Sequence, residues 1–359
     1  MSLRFAFIVL LFLVTACAPA ATPVPPSTIV PAQPSAVTFA PVSPSGTTAG
    51  GWEKIIATNA GPSARYDHTL TLDPAKNRAI VFGGRGANGT TGDTWIFDLA
   101  TRAWKEIKSN PAPAARHGHA AIYDAPRRRM VIFSGQASGF FNDVWAFDLE
   151  KETWQELAPS GDKPGERPVV RYGASAVFDS TLNRMIISHG FAAGRFDDTW
   201  AFDLAKNAWT NITPSGDKPL KRCLHEAVYD TANDRMLLYG GCSSGFGPCP
   251  QGDLWSLDLK TNQWTEIKSA TIPGARSNPA LVYDGARNRL LLQGGLESGG
   301  ATNDAWAFDL VKSAWTKLAS GALSARRSHD AVVDEKNSRL ILFGGTGANV
   351  SDELWEWRF

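Results

Sequence analysis

The sequence has no excess of charge of either sign. It carries 36 Lys and Arg residues against 35 Asp and Glu residues, for a net charge of +1. Such a chain, with its charges interspersed, has no overall field that would attract nucleic acid or a membrane surface. We therefore expect no nucleic-acid partner. The N-terminal apolar run, Phe5–Val14, is also too short to span a bilayer comfortably.

Cysteine is scarce, with four residues in the chain. Three of them, Cys223, Cys242 and Cys249, lie within one short segment. One strand and one loop there supply no fourth ligand at the usual zinc spacing. We expect no metal site and no cofactor.

A sixfold repeat occupies most of the chain. The first copy contains, in order, Arg65-Tyr66-Asp67-His68, an apolar run to Asp73, a second from Arg78 to Gly83-Gly84, a third at Asp93–Leu99, and Trp104. The other copies begin at Arg116, Arg171, Arg222, Arg276 and Arg326. A repeat of about 50 residues with four short apolar segments is typical of a propeller blade.

The sixth copy lacks its last strand, and the N-terminus supplies a replacement. Trp355 has no second Trp after it, whereas Gly51–Ile55 matches Ala103–Ile107 of the first copy. The repeats, with their diglycines, Asp-x-Trp and second Trp, resemble those of kelch-repeat proteins from Gly51 to Phe359. The resemblance implies an all-β, six-bladed kelch-type β-propeller in one domain, 51–359, closed by an N-terminal strand that completes the C-terminal blade.

The first 50 residues predict export and anchoring. Arg4, the run Phe5–Val14 and Val14-Thr15-Ala16-Cys17 resemble a bacterial lipoprotein signal peptide. The resemblance implies a signal peptide at 1–16, lipid on Cys17, and location in the cell envelope. Residues 17–50, rich in Pro, Ala and Thr, predict a disordered tether. An ordinary signal peptide, cut near Ala18 or Ala20, is the alternative.

Each copy begins with an arginine at one mouth of the predicted central channel. These arginines are candidates for ligand binding, but an aspartate on a nearby loop of each copy suggests salt bridges instead, the interpretation that we favour. The arginines are Arg65, Arg116, Arg171, Arg222, Arg276 and Arg326, and the aspartates are Asp93, Asp143, Asp198, Asp253, Asp304 and Asp352.

Histidine recurs three residues after most of these arginines. In the third copy Ala174 takes its place and His189 replaces the first glycine of the diglycine, which predicts that the facing strand supplies an imidazole to the same position. This substitution favours a packing role over catalysis. Glu226 and Asp330 follow two of the histidines as ligand candidates. A buried carboxylate needs a partner or a function, either acid–base work on a sugar or pairing with Arg222 or Arg327.

Departures from the repeat are concentrated on the loops of copies two to four. Phe140, Phe141, Phe191, Phe196 and Phe246 lie there, and Pro159–Pro164 recurs as Pro214–Pro219. Such aromatics often mark a binding surface, so Phe191 and Phe246 are our ligand-binding candidates.

Three cysteines remain for disulfides once Cys17 carries lipid. If the hairpin of the fourth copy turns symmetrically, Cys223 lies opposite Cys242, which allows that pair. Cys242 and Cys249 bracket a glycine-containing loop, and we favour their pairing.

Two classes of function remain. The first is a monomeric, lipid-anchored binding module that presents one loop face to a protein, peptide or glycan. The second is a carbohydrate-active enzyme, such as an epimerase resembling sialic-acid mutarotases, which are six-bladed kelch propellers. Sialidase Ser-x-Asp-x-Gly-x-x-Trp boxes are absent from the sequence, as are the residues of a copper-dependent galactose oxidase. The sequence therefore favours the binding module, and a purely structural role is a third alternative.

Overall fold

Six four-stranded antiparallel sheets form the blades of a β-propeller. This computed structural model describes residues 51–359 apart from Asp162, Pro164 and Ser320. The predicted fold class is confirmed. The signal peptide, Cys17 and the tether at 17–50 lie outside the described residues.

The strands of each blade are called a to d from the central channel outward. Blade 1 contains β2 (Thr69–Asp73), β3 (Arg78–Gly86), β4 (Gly89–Asp98) and β5 (Ala103–Ile107). Blade 2 contains β6 (Ala120–Asp124), β7 (Arg129–Phe133), β8 (Val144–Asp148) and β9 (Thr153–Ala158). Blade 3 contains β10 (Ser175–Asp179), β11 (Arg184–Ser188), β12 (Thr199–Asp203) and β13 (Ala208–Asn211).

Blade 4 contains β14 (Glu226–Asp230), β15 (Arg235–Tyr239), β16 (Leu254–Asp258) and β17 (Gln263–Ile267). Blade 5 contains β18 (Ala280–Asp284), β19 (Arg289–Glu297), β20 (Gly300–Asp309) and β21 (Ala314–Leu318). Blade 6 contains β22 (Asp330–Asp334), β23 (Arg339–Phe343), β24 (Leu354–Arg358) and β1 (Trp52–Ile55). Short 3-10 turns cover Ala125–Arg127, Gly285–Arg287 and Glu335–Asn337. Within the described ranges, no helix is long and apolar enough to span a membrane.

The b strands form the core between neighbouring blades. In β3, the segment Ala79–Phe82 is fully buried, and Met130–Phe133 of β7 is buried in the same way. A strand covered on both faces needs a continuous apolar run rather than alternation, and the sequence supplies one in each blade. The core is therefore a ring of apolar clusters between blades.

A second arginine–aspartate pair fixes each a–b hairpin. The aspartate that ends strand a is buried, and the arginine that begins strand b donates to it, as from Arg78 to Asp73 at 2.9 Å. The equivalent pairs are Asp124–Arg129, Asp179–Arg184, Asp230–Arg235, Asp284–Arg289 and Asp334–Arg339. In the sequence these residues mark only the boundaries of the apolar runs, and their spacing alone did not predict the pairs.

The two ends of the described chain meet in blade 6. Strand β1 pairs antiparallel with β24, placing Trp52 opposite Trp357. Trp52 is 5% exposed, and its ring centroid lies 6.0 Å from that of Trp357. The inferred closure by an N-terminal strand agrees with this pairing.

Six backbone hydrogen bonds close one end of the channel. The residue two positions after each repeat arginine donates its N–H to the carbonyl of its counterpart in a neighbouring blade, at 2.8 or 2.9 Å. All six have φ between 50° and 61°, in the left-handed region that most side chains avoid. This hydrogen-bond ring consists of Asp67, Gly118, Gly173, Leu224, Asn278 and Ser328.

The hydrogen-bond ring separates two faces of the propeller. The face with the b–c and d–a loops, next to the ring, is called the loop face. The face with the a–b and c–d turns is called the turn face. Strand β1 runs from the turn face toward the loop face, because it is a d strand antiparallel to β24. The start of β1 lies at the outer rim against the d–a loop of blade 5, because a Cβ on Gly321 would lie 3.2 Å from the backbone nitrogen of Trp52.

Removal of β1 should destabilise the propeller. Deletion through Ile55 exposes the edge of β24 and removes the buried Trp52, a loss on the order of 3–5 kcal/mol for the side chain alone. Deletion through Gly50 should leave the melting temperature unchanged. Thermal unfolding of the two truncations measures this difference, and equal melting temperatures would show that β1 contributes no stability to blade 6.

Candidate functional site

The repeat arginines form buried ion pairs inside their own blades. Arg65 is 0% exposed, and its two terminal nitrogens donate to the two carboxylate oxygens of Asp93 at 2.7 and 2.8 Å. Its remaining donors bond Ser63 and the carbonyl of Gly83. The matching pairs are Arg116–Asp143, Arg171–Asp198, Arg222–Asp253, Arg276–Asp304 and Arg326–Glu353.

This arrangement corresponds to the salt-bridge interpretation of the arginines. Because their guanidinium groups are buried and already bonded within the blade, they form no open positive ring at the channel mouth. One predicted partner is wrong: Arg326 donates to Glu353 at 3.1 Å, not to Asp352. Glu353, like the aspartates, stands two residues before a strand-c tryptophan.

The Asp-x-Trp motif follows from the same ion pair. The indole N–H of Trp95 donates to Asp93 at 2.6 Å, and that of Trp355 donates to Glu353 at 3.0 Å. Burial alone would raise the pKa of Glu353, but hydrogen bonds from Lys54, Trp355 and Arg326 lower it to about 2. The carboxylate therefore stays ionised at neutral pH.

The histidines pack between blades, so the prediction that His189 takes the place of the missing histidine within its own hairpin is wrong. A Cβ on Gly83 would lie 3.1 Å from the ring of His119 in the next blade, rather than against His68 of its own hairpin. His189 consequently meets His225 of blade 4, with ring centroids 5.3 Å apart. The interface between blades 3 and 4 therefore contains two imidazoles. The interface between blades 2 and 3 has Ser134 and Ala174 at these positions and contains none there.

Hydrogen bonds and burial support a packing role for these rings. The Nε2 atoms of His119 and His225 lie 2.8 Å from the hydroxyl oxygens of Thr69 and Ser175 in the preceding blades. Burial lowers the pKa of His189 to about 3. These imidazoles are neutral at physiological pH, which does not suit them to acid–base catalysis.

Glu226 and Asp330 line the channel rather than pairing with arginines. Asp330 accepts hydrogen bonds from the backbone N–H groups of Leu70 and Ala331, both at 2.7 Å. Desolvation raises its pKa to about 6. Desolvation, followed by the charges of Asp330 and Asp67, raises the pKa of Glu226 well above its usual value. The expected pairing with Arg222 is wrong, because that arginine binds Asp253, and no salt bridge joins either carboxylate to Arg327 within the described residues.

An aromatic cluster lies on the loop face of blades 2 and 3. Phe140 stacks on Tyr172 with ring centroids 6.0 Å apart, and Phe191 lies edge-on to Tyr172 at 5.8 Å. The guanidinium of Arg195 lies 5.4 Å from the centre of the Phe191 ring. Arg195 also donates to the carbonyls of Cys242 and Ser244, and so joins this cluster to blade 4.

Exposed apolar side chains extend the aromatic cluster into blade 4. Phe246 is 51% exposed, Leu220 is 46% exposed and Val169 is 47% exposed. A Cβ on Gly247 would lie 2.6 Å from Leu220, so Leu220 packs beside the Phe246 loop. The ammonium of Lys221 lies 5.3 Å from the Phe246 ring centre. Phe140, Tyr172, Phe191, Val169, Leu220 and Phe246 are together called the apolar patch.

Two of the loop phenylalanines instead cover the buried ion pairs. The ring of Phe141 lies 4.2 Å from the guanidinium carbon of Arg116, and that of Phe196 lies 4.3 Å from that of Arg171. Stacking on arginine excludes water from the ion pair. Phe141 and Phe196 are therefore explained by the scaffold.

The cysteines lie beside the apolar patch. Cys242 and Cys249 form a disulfide, and Cys223 is a buried free thiol opposite Cys242. The b–c loop that bears Phe246 is thus covalently closed at its base. The described part of the chain contains no group of three or more His, Cys, Asp or Glu residues that could hold a metal ion.

The repeats and their geometry define a kelch propeller, and family comparison agrees. The model of the KLHDC2/KLHL20/DRC7 Kelch-repeats domain matches residues 46–241 and 190–359. The chain belongs to this kelch-repeat family. A binding role fits such a propeller, and the comparisons provide no support for the enzyme alternative.

The chain is similar to parts of several proteins with different names. The flagellar outer-arm dynein alpha chain of Chlamydomonas reinhardtii is 30% identical over 158 residues, covering 42% of this chain and 3% of the dynein. Human Kelch domain-containing protein 10 is 26% identical over 46% of this chain and 38% of its own length. Human Host cell factor 2 is 26% identical over 71% of this chain and 34% of its own length. The chain thus matches less than half of each relative.

Ionisation of Glu226 should make stability depend on pH. Because its pKa is raised by folding, the unfolded chain loses this proton first, and the folded state loses stability as pH rises above about 4.5. We expect Glu226→Gln to melt about 2–4 °C above the parent protein at pH 8. The two should melt together near pH 4.

Exposed Glu166→Gln is the matched control, since it removes the same charge from the loop face. Its melting temperature should follow that of the parent protein at both pH values. A Glu226→Gln protein that melts below the parent at pH 8 would show that the carboxylate stabilises the fold.

Proposed function

We propose that this protein is an envelope-anchored binding module whose apolar patch contacts a protein or peptide partner. The observation that carries this proposal is the exposure of Phe246, Leu220 and Val169 on adjoining loops of a rigid scaffold. Exposed apolar groups clustered on one surface mark interaction sites. The fold does not require Phe246, since the b–c connections of blades 1 and 5 are continuous hairpins, β3–β4 and β19–β20, with no aromatic residue at 83–93 or 294–304.

The charges beside the apolar patch favour a partner that carries carboxylates. Lys221 lies over Phe246, and Arg195 lies over Phe191. Neither cation has a salt bridge to a carboxylate within the described residues. An aromatic surface flanked by cations without carboxylate partners suits an acidic peptide segment with apolar side chains. A glycan that stacks on the aromatic rings is the other ligand class that the test below detects.

The anchor at Cys17 is part of the proposal and rests on the N-terminal sequence. A tether of residues 17–50 would join the propeller at Gly51, at the outer rim of blade 6. The apolar patch lies on blades 2 to 4, so attachment at blade 6 leaves it accessible to an extracytoplasmic partner.

Loss of exposed aromatic groups should weaken binding without loss of stability. Full-length protein is applied to peptide and glycan arrays, and its hits are tested against Phe246→Ala and Leu220→Ala. We expect at least tenfold weaker binding for both variants, because hot-spot apolar groups contribute about 2 kcal/mol or more. Melting temperatures should not change, since both side chains are half exposed.

The matched control is Val311→Ala on a c–d turn of blade 5, where Val311 is 80% exposed. It should bind array ligands as the parent protein does. Unchanged affinity in all three variants would place the partner site away from the apolar patch. Enrichment of glycans rather than acidic peptides would reject the peptide assignment.

Replacement of the lipidated residue tests the anchor. In a bacterial host, Cys17→Ser should abolish incorporation of labelled palmitate and release the protein from the membrane fraction. Cys223→Ser is the control and should keep its label. A Cys17→Ser protein that still carries lipid would contradict the lipoprotein assignment, whatever the loop face binds.

A further inference from the structure

The channel contains a cavity that is separate from the apolar patch. Its volume is about 810 Å³, within the range of about 300–1,000 Å³ usual for small-molecule sites. The hydrogen-bond ring lines one end, and none of the described residues that line the cavity lies beyond the ring toward the loop face. Pro74, Ser180 and Lys336 line the other end. The cavity is therefore entered from the turn face.

The inner half of the cavity has three acidic groups. Two of them, Glu226 and Asp330, form no salt bridge within the described residues, whereas the charges of Arg327 and Arg85 act on the third, Asp67. Asp67, Glu226 and Asp330 line it, whereas Lys336 lies at the turn-face end. The histidines that share this wall have pKa values lowered by burial, that of His68 to about 3. They supply no positive charge at neutral pH, so the wall attracts cations.

Polar groups at the closed end lack partners within the protein. Asn278 of the hydrogen-bond ring is 8% exposed, and its side-chain oxygen accepts no hydrogen bond in the described structure. The carboxyl group of Glu226 forms no side-chain hydrogen bond or salt bridge within the described residues, and the neighbouring charges that act on it are those of Asp330 and Asp67. Buried polar groups normally have a partner. Glu226 and Asp330 stand at equivalent positions of blades 4 and 6, four residues after their repeat arginines, and both line the cavity.

The wall between the closed end and the turn face is largely apolar. Leu70, Ala176, Ala227 and Leu281 line it, as does Tyr283. A ligand that reaches the acidic groups passes along this surface. The wall therefore selects a molecule with an apolar stem and a compact polar head.

We propose that the channel binds a small primary alkylammonium ligand that enters from the turn face, with its head at Glu226 and Asp330. An ammonium head has three donors and one positive charge, which complements the two carboxyl groups. A neutral alcohol leaves the carboxylates uncompensated, and a carboxylate ligand adds like charge. This inference is independent of the apolar patch, which lies beyond the hydrogen-bond ring.

Three probes with the same six-carbon stem test the head group. Hexylammonium, hexan-1-ol and hexanoate are titrated into full-length protein by calorimetry at pH 7.5. We expect saturable binding of hexylammonium and at least tenfold weaker binding of the other two. Equal binding of hexan-1-ol and hexylammonium would overturn the proposal, since it would show that the cavity recognises only the stem.

Channel variants test the location. Glu226→Gln keeps the side-chain shape and should weaken hexylammonium binding at least tenfold, whereas Glu166→Gln removes one charge from the loop face and should have no effect. Ala176→Leu narrows the apolar wall without changing charge and should also weaken binding. Full affinity in both Glu226→Gln and Ala176→Leu would exclude the channel.

The loop-face variant Phe246→Ala separates this proposal from the proposed function. It should bind hexylammonium as the parent protein does, even though we expect it to lose array ligands. Loss of hexylammonium binding in Phe246→Ala, with its melting temperature unchanged, would place the ammonium site on the loop face and reject the channel assignment.

Discussion

The buried ion pair between each repeat arginine and the carboxylate of strand c holds the propeller together. The side chain of Arg116 fixes its own blade through Asp143, and its carbonyl accepts the N–H of Gly84 from the preceding blade. Two residues later, Gly118 enters the hydrogen-bond ring. One short segment therefore links strands within a blade and blades to each other. Loss of one partner leaves a buried charge, which typically costs about 3–5 kcal/mol.

This constraint determines where binding chemistry can lie. The arginines next to the loop face are committed to the scaffold, so charge recognition there depends on residues outside the repeat, such as Arg195 and Lys221. The hydrogen-bond ring also divides the protein into two environments, an exposed apolar patch on one side and an acidic enclosed cavity on the other. A ligand bound at the apolar patch therefore need not affect a ligand bound in the cavity.

The sequence predicted the fold well because each blade repeats the same spacings. The six-bladed architecture and the hairpin register followed from those spacings, as did five of the six ion pairs. The sixth partner, Glu353, was missed because the motif was identified by aspartate rather than by its distance from tryptophan. His189 was misplaced because a residue's neighbour across a blade interface cannot be read from the hairpin register. Glu226 and Asp330 were identified as unusual, but their lack of arginine partners depends on which side chains face the channel.

The position two residues before the carboxylate shows how scaffold and function can be separated. Thr91 and Thr302 stand there in blades 1 and 5 and accept hydrogen bonds from the arginines at 3.2 and 3.3 Å. Phe141 and Phe196 stand there in blades 2 and 3 and cover the same arginines. A threonine hydroxyl and a phenylalanine ring thus both contact the repeat arginine beside its ion pair. Phe246 is different, because it is half exposed and its ring lies beside Lys221 rather than over a repeat arginine. The proposed partner surface therefore rests on the phenylalanines that the repeat does not require.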